Sequence, residues 1–597
     1  MNIVNVKQII QAQIYTLKLI NKVTKGRIPF SIGLNIANGI VEFTSSVFLI
    51  SYIMNSFTKN VELEKVIVVV IGIAFCKLVT NVMNSFFENV YVEQSNLKIQ
   101  KNVLEMIYRR SINIDMEEFD NPKFYDTFVK VLERTSVTIF DLLKLLEESV
   151  KLLSYSIVAC YFIYKINPFF ILVLILPIIV GGFVSKEITN IEYLLYEKNQ
   201  KEERRRSYIF RVFHMKKFES ELFTTSIGNL LINKYSQSSV KIQNQLRRDG
   251  KKRWKLQYYF YLSNEVITDL ITYVYTTYEV LISKRLLLGD FFLLIDSLGD
   301  VSQSLKRIVA IIIKVYGNSR YLEDFRLFLE YIPKSEKKES KVLSNINNLN
   351  FCFKNVSFRY NGNDKNSLDN INLNISKGEK IAIVGENGSG KSTLIKLLLG
   401  FYEPTKGNIY CNSQNITDLD SKSYRNIFST IFQDFQLFPF SIYKNITLNN
   451  DNVVDINVID ILKGVGLFDK IETLKEGVQT VLYTDFDSQG VELSYGEKQR
   501  LAVARSVYQK KEIVIMDEPT SAMDPISESK LYELVKEKYW EKTVICISHR
   551  LTTTMQADKI IYLKDGSIIE SGSHDELIRL NGEYAKSFKR QSENYLN

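Results

Sequence analysis

Residues 385–393 read Gly-Glu-Asn-Gly-Ser-Gly-Lys-Ser-Thr, a complete match to the phosphate-binding pattern G-x-x-x-x-G-K-[ST]. An apolar run, Ile381 to Val384, precedes this loop, and a second, Leu394 to Leu399, follows it. A strand, a glycine-rich loop and a helix in that order place backbone N–H groups and the positive end of the helix around phosphate oxygens. The sequence therefore predicts a nucleoside triphosphate site in an α/β domain.

Each part of this loop has an expected role. The Lys391 ammonium reaches the β- and γ-phosphates of a nucleotide, and the Ser392 hydroxyl binds Mg²⁺. We assign nucleotide contacts to the whole loop, namely Gly385, Glu386, Asn387, Gly388, Ser389, Gly390, Lys391, Ser392 and Thr393.

Length and charge indicate at least two domains and a membrane location. A chain of 597 residues is too long for one core, and long apolar stretches are confined to its first half. The net charge of +9 could suggest nucleic acid, but basic clusters such as Arg204-Arg205-Arg206 and Lys251-Lys252-Arg253 lie between apolar segments. The positive-inside rule predicts this for cytoplasmic loops, so we expect no nucleic-acid partner. The five cysteines lack metal-like spacing, and we expect free thiols.

The first half contains candidate membrane spans, each long enough to cross a hydrocarbon layer of roughly 30 Å. They lie at about 29–56, 65–91, 145–164, 168–185, 256–283 and 288–315. Short links join the first to the second, the third to the fourth and the fifth to the sixth, whereas long basic segments separate the pairs. We expect those long segments to be helical arms in the cytoplasm.

Polar residues recur at steps of three or four within several spans, which keeps them on one helix face. The sets are Asn35, Asn38, Glu42 and Ser45; Lys77, Thr80, Asn81, Asn84 and Glu88; Glu265, Asp269, Thr272, Thr276 and Glu279; and Asp296, Asp300, Gln303 and Arg307. An intramembrane charge needs water or a partner. Two interpretations stay open: the residues pair and hold helices together, or their excess of acids lines a path for a cationic or polar substrate.

The second half carries further candidate residues for nucleotide chemistry. The apolar strand Ile513 to Met516 ends in Asp517 and Glu518, placed respectively to hold Mg²⁺ and to polarise an attacking water. His549 follows the apolar strand Thr543 to Ile547 and could contact the γ-phosphate. Gln433 could sense Mg²⁺ and the water. Tyr360, before the loop, could stack on a purine.

Together with Leu493-Ser494-Tyr495-Gly496-Glu497 and Ser521-Ala522-Met523-Asp524, these motifs resemble the nucleotide-binding domain of an ABC transporter. The first half is similar to the exporter type of half-transporter, and residues 118–126 resemble the first coupling-arm motif of bacterial exporters of lanthipeptides and other bacteriocins. The resemblance implies ATP and Mg²⁺ as ligands. It adds Ser494, Tyr495, Gly496, Glu497 and Asp524 to the nucleotide contacts.

The signature motif departs from the family pattern Leu-Ser-Gly-Gly-Gln at Tyr495, where the family has glycine. In the family two such domains close head to tail, each nucleotide lying between one phosphate loop and the partner's signature. We therefore expect a dimer. Symmetry favours a homodimer, and Tyr495 keeps a heterodimer open. Two alternatives are open for the Tyr495 ring: it points away from the nucleotide of the neighbouring subunit, or it slows or alters ATP hydrolysis at that site.

These observations predict a membrane all-α domain of six helices followed by an α/β P-loop NTPase of the ABC type. The expected division is an amphipathic segment at 1–28, a transmembrane domain at 29–330, a linker at 331–348 and the nucleotide-binding domain at 349–597. The expected function is ATP-driven peptide export across the bacterial cytoplasmic membrane, in contact with membrane lipid.

Alternatives remain at this stage: a lipid or multidrug exporter, a membrane ATPase with a regulatory or import role, or a soluble ABC ATPase acting on DNA. The first cysteine, Cys76, lies inside the second span, so we expect no N-terminal cysteine peptidase domain. Another protein would then remove any leader peptide.

Overall fold

The computed structural model describes residues 6–215, 218–262, 266–333, 341–343, 349–449, 455–484, 488–518, 533, 537, 541–548 and 555–596. The chain divides into two compact units. The first consists of Met1–Ile112 and Asp126–Tyr331, and the second of Asn113–Tyr125 and Ile332–Asn597. The short segment 113–125 therefore groups with the C-terminal unit, although it interrupts the first unit in the sequence.

The first unit is helical. Its helices are α1 (Val6–Val23), α2 (Arg27–Thr58), α3 (Leu63–Ser111), α5 (Pro122–Ile166), α6 (Phe169–His214), α7 (Glu219–Thr224), α8 (Ile227–Tyr261), α9 (Ile267–Leu281) and α10 (Leu288–Glu330). The intervening α4 (Met116–Phe119) belongs to the second unit. At a rise of about 1.5 Å per residue, the longer helices extend well beyond a hydrocarbon layer of roughly 30 Å.

Among the described residues, three helices are long and apolar enough to cross a membrane by length and composition, and they are α2, α3 and α5. The first three predicted spans lie on these helices. The fourth lies on α6, the fifth runs from α8 into α9 across residues outside the described part, and the sixth lies on α10.

Close packing of α2 against α5 depends on Gly39. A Cβ at this position would collide with the Ser154 hydroxyl and with the backbone carbonyl of Lys151. Small residues let helix backbones approach where no hydrophobic driving force exists between helices. Next to this contact, an apolar core joins α2, α5, α6 and α10 through side chains that include Phe43, Tyr155, Phe170 and Leu294.

The second unit is an α/β structure with two sheets. Its strands are β1 (Phe351–Phe358), β2 (Leu368–Ile375), β3 (Lys380–Gly385), β4 (Lys406–Cys411), β5 (Gln414–Asn415), β6 (Phe428–Ile431), β7 (Ile513–Asp517), β8 (Thr543–Ile547), β9 (Lys559–Lys564) and β10 (Ser567–Gly572). One antiparallel sheet has the order β2-β1-β4-β5, and the larger sheet has the order β10-β9-β3-β8-β7-β6. An α-helical first unit and an α/β second unit confirm the predicted fold class.

Helices connect many of the strands of the second unit. They are α11 (Lys391–Leu398), α12 (Ser421–Arg425), α13 (Ile442–Thr447), α14 (Ile456–Gly464), α15 (Phe468–Glu472), α16 (Tyr495–Gln509), α17 (His574–Leu580) and α18 (Glu583–Leu596). In the larger sheet β6, β7, β8, β3 and β9 run parallel. Parallel strands of such sheets are covered on both faces, which explains why every residue of β7 and β8 is buried and why both strands are mostly apolar.

Candidate nucleotide site

The carboxyl ends of β3, β8 and β7 meet at one edge of the larger sheet, because β8 lies between the other two strands. The phosphate loop follows β3, and the acidic pair Asp517 and Glu518 lies at the end of β7. Ligands of open parallel sheets bind at this edge. Strand order therefore brings together motifs that lie far apart in the sequence.

A cavity of about 1620 Å³ opens at this edge. Its walls include the predicted residues Glu386, Asn387, Gly388, Gly390, Lys391, Ser392, Thr393, Gln433, Asp517 and Glu518. The walls also include two segments that the sequence did not suggest. One consists of residues 362–367, which begin two positions after Tyr360, and the other is the turn Asp565-Gly566 between β9 and β10. Only tertiary structure brings these turns to the phosphate loop.

The phosphate loop is held in a conformation that only glycine adopts easily. Gly385 and Gly390 have φ angles of 146° and 104°. A Cβ at Gly390 would lie 2.7 Å from the carbonyl oxygen of Ser367. Between them, the Ser389 hydroxyl is buried and has no hydrogen-bond partner among the described residues. A tight, glycine-rich loop with a buried hydroxyl available to donate a hydrogen bond fits a bound anion such as phosphate.

Lys391 is buried at the floor of the cavity. Its Nζ donates to the carbonyl oxygens of Gly385 and Glu386, each at 2.8 Å. Burial lowers the pKa of Lys391, and the nearby carboxylates of Glu518 and Asp517 partly oppose that shift. The ammonium is thus positioned by its own loop and lies close to the acids at the end of β7.

Three side chains at the cavity carry oxygen atoms that suit a hard cation, and they are Ser392, Asp517 and Gln433. The Ser392 hydroxyl donates to Asp517 Oδ2 at 3.4 Å, and Gln433 Nε2 donates to Glu518 Oε2 at 3.4 Å. Burial raises the pKa of Asp517, and the neighbouring Glu518 carboxylate raises it further. Hydroxyl, carboxylate and amide oxygens are the ligands that Mg²⁺ prefers, so Ser392, Asp517 and Gln433 fit the metal predicted from the sequence.

Glu518 has an unusual backbone. Its φ angle of 49° lies in the left-handed region, which a residue with a Cβ rarely adopts. Its N–H donates to the Ile547 carbonyl at 3.0 Å, and its own carbonyl accepts from Gln499 Nε2 at 3.2 Å. Such backbone strain concentrates at functional sites. Gln499 was not identified from the sequence, because a buried amide on a helix gives no signal until its partner is known.

Tyr360 contacts Thr393, the last residue of the phosphate-loop motif. Its hydroxyl lies 3.3 Å from Thr393 Oγ1, and its ring packs edge-on against Phe358 and Tyr402. Stacking of the Tyr360 ring on a purine remains a prediction. His549 and Asp524 lie outside the described residues, as do Ser521 to Met523.

The signature residues form the start of α16 and, among the described residues, do not line the cavity. Ser494 caps the helix: its hydroxyl accepts from the Glu497 N–H, and the Glu497 carboxylate accepts from the Ser494 N–H at 2.8 Å. Burial acts to raise the pKa of Glu497, but hydrogen bonds from Lys470 at 2.7 Å and from Ser494 bring it below its ordinary value.

Tyr495 and Gly496 follow the cap residue directly. Tyr495 is the first helical residue, and its half-exposed ring lies 5.8 Å from that of Phe435. The departure from the family pattern is therefore part of an ordinary, well-capped helix start.

Segment 113–125 contacts the rest of the second unit through α4 and through Asp120, the residue that follows it. The Tyr402 hydroxyl donates to Asp120, and Asn361 Nδ2 donates to Glu117 Oε1 at 3.4 Å. Burial, followed by the Asp120 carboxylate, raises the pKa of Tyr402. The motif at 118–126 was predicted to be a coupling arm, and most of it groups with the nucleotide unit.

Comparison with known proteins agrees with this geometry. Residues 368–521 match the family model described as ABC transporter. The subtilin transport ATP-binding protein SpaT of Bacillus subtilis is 29% identical over 502 residues, which cover 82% of this chain and 79% of SpaT. The nisin transport ATP-binding protein NisT of Lactococcus lactis subsp. lactis is 28% identical over 585 residues, covering 94% and 93% of the two chains.

A solved structure of a bacterial Atm1-family ABC exporter with ATP bound matches with a TM-score of 0.76, at 23% identity, over 96% of this chain and 99% of that chain. At this identity the likeness establishes the fold. The chain therefore carries an ABC transporter domain joined to an N-terminal region of apolar, membrane-embedded helices, in the fold of an ABC exporter.

Proposed function

We propose that this chain is one half of an ATP-driven exporter of the bacterial cytoplasmic membrane, and that its cargo is a peptide of the bacteriocin or lanthipeptide kind. The observation that carries the ATP-driven part is the convergence of Lys391, Ser392, Gln433, Asp517 and Glu518 on one cavity. An ammonium, a Mg²⁺ ligand set and a candidate base at one sheet edge are the parts that phosphoryl transfer requires.

In this proposal the side chains have separate tasks. Ser392, Asp517 and the Gln433 amide oxygen would hold Mg²⁺, which would neutralise charge on the phosphates when bound. Lys391 leaves its loop carbonyls to contact phosphate oxygens. Glu518 accepts a proton from the attacking water, and Gln433, 3.4 Å from Glu518 Oε2, orients that water. His549 contacts the γ-phosphate.

The working unit is proposed to be a dimer, with the homodimer favoured by symmetry. One chain supplies one phosphate loop and one signature, and Ser494 to Glu497 do not line the chain's own cavity among the described residues. A signature on a second subunit would complete each site. The exposed N-terminus of α16 would then present N–H groups to a phosphate of that subunit's nucleotide.

The peptide cargo has two lines of support. Two relatives that align with most of the chain are named for subtilin and nisin transport. In the helical unit, Asp300 accepts a hydrogen bond from the Tyr155 hydroxyl, which is a neutral donor, and it forms no ion pair with any residue that the structure describes. Asp296 lies one helical turn away on the same helix. Two adjacent acids favour a cationic cargo over a lipid or an apolar drug, which remain the alternatives.

Reconstituted full-length protein tests the proposal. Mg²⁺-dependent ATP hydrolysis should be stimulated by a cationic peptide, and inside-out vesicles should accumulate that peptide only with ATP. Asp300→Asn should reduce the stimulation, whereas Tyr155→Phe, which removes the same hydrogen bond without changing a charge, should retain it. Stimulation by apolar drugs but not by peptides would overturn the cargo assignment, and ATP hydrolysis without uptake would overturn export.

A further inference from the structure

Helix α8 carries five exposed cations within nine residues, and we call them the basic band: Arg247, Arg248, Lys251, Lys252 and Lys255. Among the described residues, none of the five lies within 4.0 Å of a carboxylate in an ion pair. The neighbouring arm cations differ, since Arg205 and Lys241 both contact Glu202, at 3.2 and 3.6 Å. The stretch 247–255 has one acidic residue, Asp249, so within the described part of the chain the basic band keeps a clear excess of positive charge.

Aromatic side chains begin within the last turn of the basic band and continue beyond it, since Trp254 precedes Lys255 and the tyrosines follow; apolar side chains come next along the chain. Trp254, Tyr258 and Tyr259 are 63%, 50% and 66% exposed, and the Trp254 and Tyr258 rings stack at 5.8 Å. Beyond them, Val266 and Leu270 are 53% and 59% exposed. The order from basic to aromatic to apolar is that of a helix passing from the cytoplasm through a headgroup layer into hydrocarbon.

The helix period places the key side chains on one face. Arg247, Lys251, Trp254 and Tyr258 are separated by steps of four, three and four residues, so they lie in one line along α8. A cavity of about 310 Å³ lies beside this line, and Asn244, Arg247, Arg248 and Lys251 line it. Three cations and an amide around one hollow provide donors for an anionic oxygen group.

We propose that the basic band binds the headgroups of anionic phospholipids in the leaflet that faces the cytoplasm. Arg247, Arg248 and Lys251 contact the phosphate diester in the cavity, while Trp254 and Tyr258 lie at headgroup depth and hold the helix there. Clustered lysines and arginines next to a membrane-crossing segment attract anionic lipid in this way. The site shares no lining residue with the ATP cavity, and it depends on the proposed function only for the membrane location of α8.

Tryptophan fluorescence can test the site directly, because the chain has two tryptophans, Trp254 and Trp540. In a Trp540→Phe background, the full-length protein is placed in nanodiscs of neutral phosphatidylcholine that contain a minor fraction of shallow-brominated lipid. Brominated phosphatidylglycerol should quench Trp254 about threefold more than brominated phosphatidylcholine at the same mole fraction. Added salt should reduce this excess, because it screens the attraction.

Three variants make the test specific. Arg247→Gln/Lys251→Gln/Lys255→Gln should bring the quenching ratio of the two lipids to about one, as expected when electrostatic attraction is removed. Lys234→Gln/Lys377→Gln/Lys475→Gln, with the same change in net charge at exposed positions elsewhere, should keep the preference. The charge-preserving variant Arg247→Lys/Lys251→Arg/Lys255→Arg should also keep the preference for the anionic lipid. Equal quenching by both lipids, no quenching by either, or a preference that survives the glutamine triple would overturn the proposal.

Discussion

The two units of the molecule use their polar side chains in opposite ways. In the nucleotide unit, Lys391, Ser392, Asp517 and Glu518 face an open cavity. In the helical unit, many polar residues of the spans contact one another instead. The contrast shows that a polar residue in a glycine-rich phosphate loop predicts a ligand, whereas a polar residue on a membrane helix predicts a ligand or a partner within the protein.

Contacts between helices illustrate the second case. Asn38 and Asn84 exchange hydrogen bonds at 2.7 Å, which joins α2 to α3. Glu42 pairs with Lys151 at 2.8 Å, and Arg307 pairs with Glu148 at 3.1 Å. The interpretation that stripe residues hold helices together is supported by these pairs. The interpretation that acids line a cargo path stays a prediction, and Asp296 and Asp300 are its candidates.

The largest expected effect is at Glu518. Glu518→Gln should lower ATP turnover by at least about 100-fold, because it removes the proposed base while keeping the shape of the side chain. Steady-state hydrolysis by the full chain in nanodiscs would measure this, with nucleotide retention as a second readout. Glu512→Gln is the matched control, since Glu512 lies just before the same strand and pairs with Lys542 at 2.5 Å. Turnover within tenfold of the unaltered chain would contradict the assigned role.

The phosphate loop should be the next most sensitive position. Gly390→Ala would place a Cβ 2.7 Å from the Ser367 carbonyl at a φ of 104°. We expect a loss of about 2 kcal/mol or more in stability and weaker nucleotide binding. Gly388→Ala is the comparison, because Gly388 also has a positive φ but no atom within 4 Å of an added Cβ. It should cost about 1 kcal/mol.

Thermal unfolding and nucleotide titration of the two alanine variants would measure this difference. Equal losses at Gly388 and Gly390 would show that backbone strain alone, and not the collision with Ser367, sets the cost.

A pair in the helical unit should contribute less. Glu148→Gln and Arg307→Gln should each lower the thermal midpoint of the full chain slightly, and a double-mutant cycle should give a coupling of about 1 kcal/mol, since both side chains are partly exposed. The exchanged pair Glu148→Arg/Arg307→Glu should recover part of the loss. Additive effects with no coupling would show that the pair does not hold α5 to α10, and the cargo interpretation would then extend to these residues.

The smallest effect is expected at Tyr495. Tyr495→Gly should leave hydrolysis unchanged or raise it, while glycine at a helix start costs about 1 kcal/mol or less in stability. Tyr495→Phe, which keeps the ring contact with Phe435, should match the unaltered chain in both measurements. A collapse in hydrolysis for the glycine variant would mean that the Tyr495 ring contributes to the site.

Several features could be predicted from the sequence because they depend on local spacing. The loop 385–393, the strand followed by the acids Asp517 and Glu518, and the signature motif 493–497 are each encoded within a few consecutive residues. Polar steps of three and four likewise identified helix faces in the spans. Their pairing could not be predicted, since spacing along one helix gives no information about the residue opposite on another.

The sequence by itself determined the order of an apolar helical unit and an α/β nucleotide unit, and the identity of the phosphate loop with its acids, because periodicity and short motifs are local properties. Tertiary structure decided that Gln499 holds the Glu518 carbonyl, that residues 362–367 and 565–566 complete the cavity, and that segment 113–125 groups with the nucleotide unit. It also decided which charged residues of the helical unit form ion pairs with one another, whereas the basic band has no ion pair within the part of the chain that the structure describes. Those outcomes depend on contacts between residues that are distant in the chain, and only the packed fold brings such residues within reach.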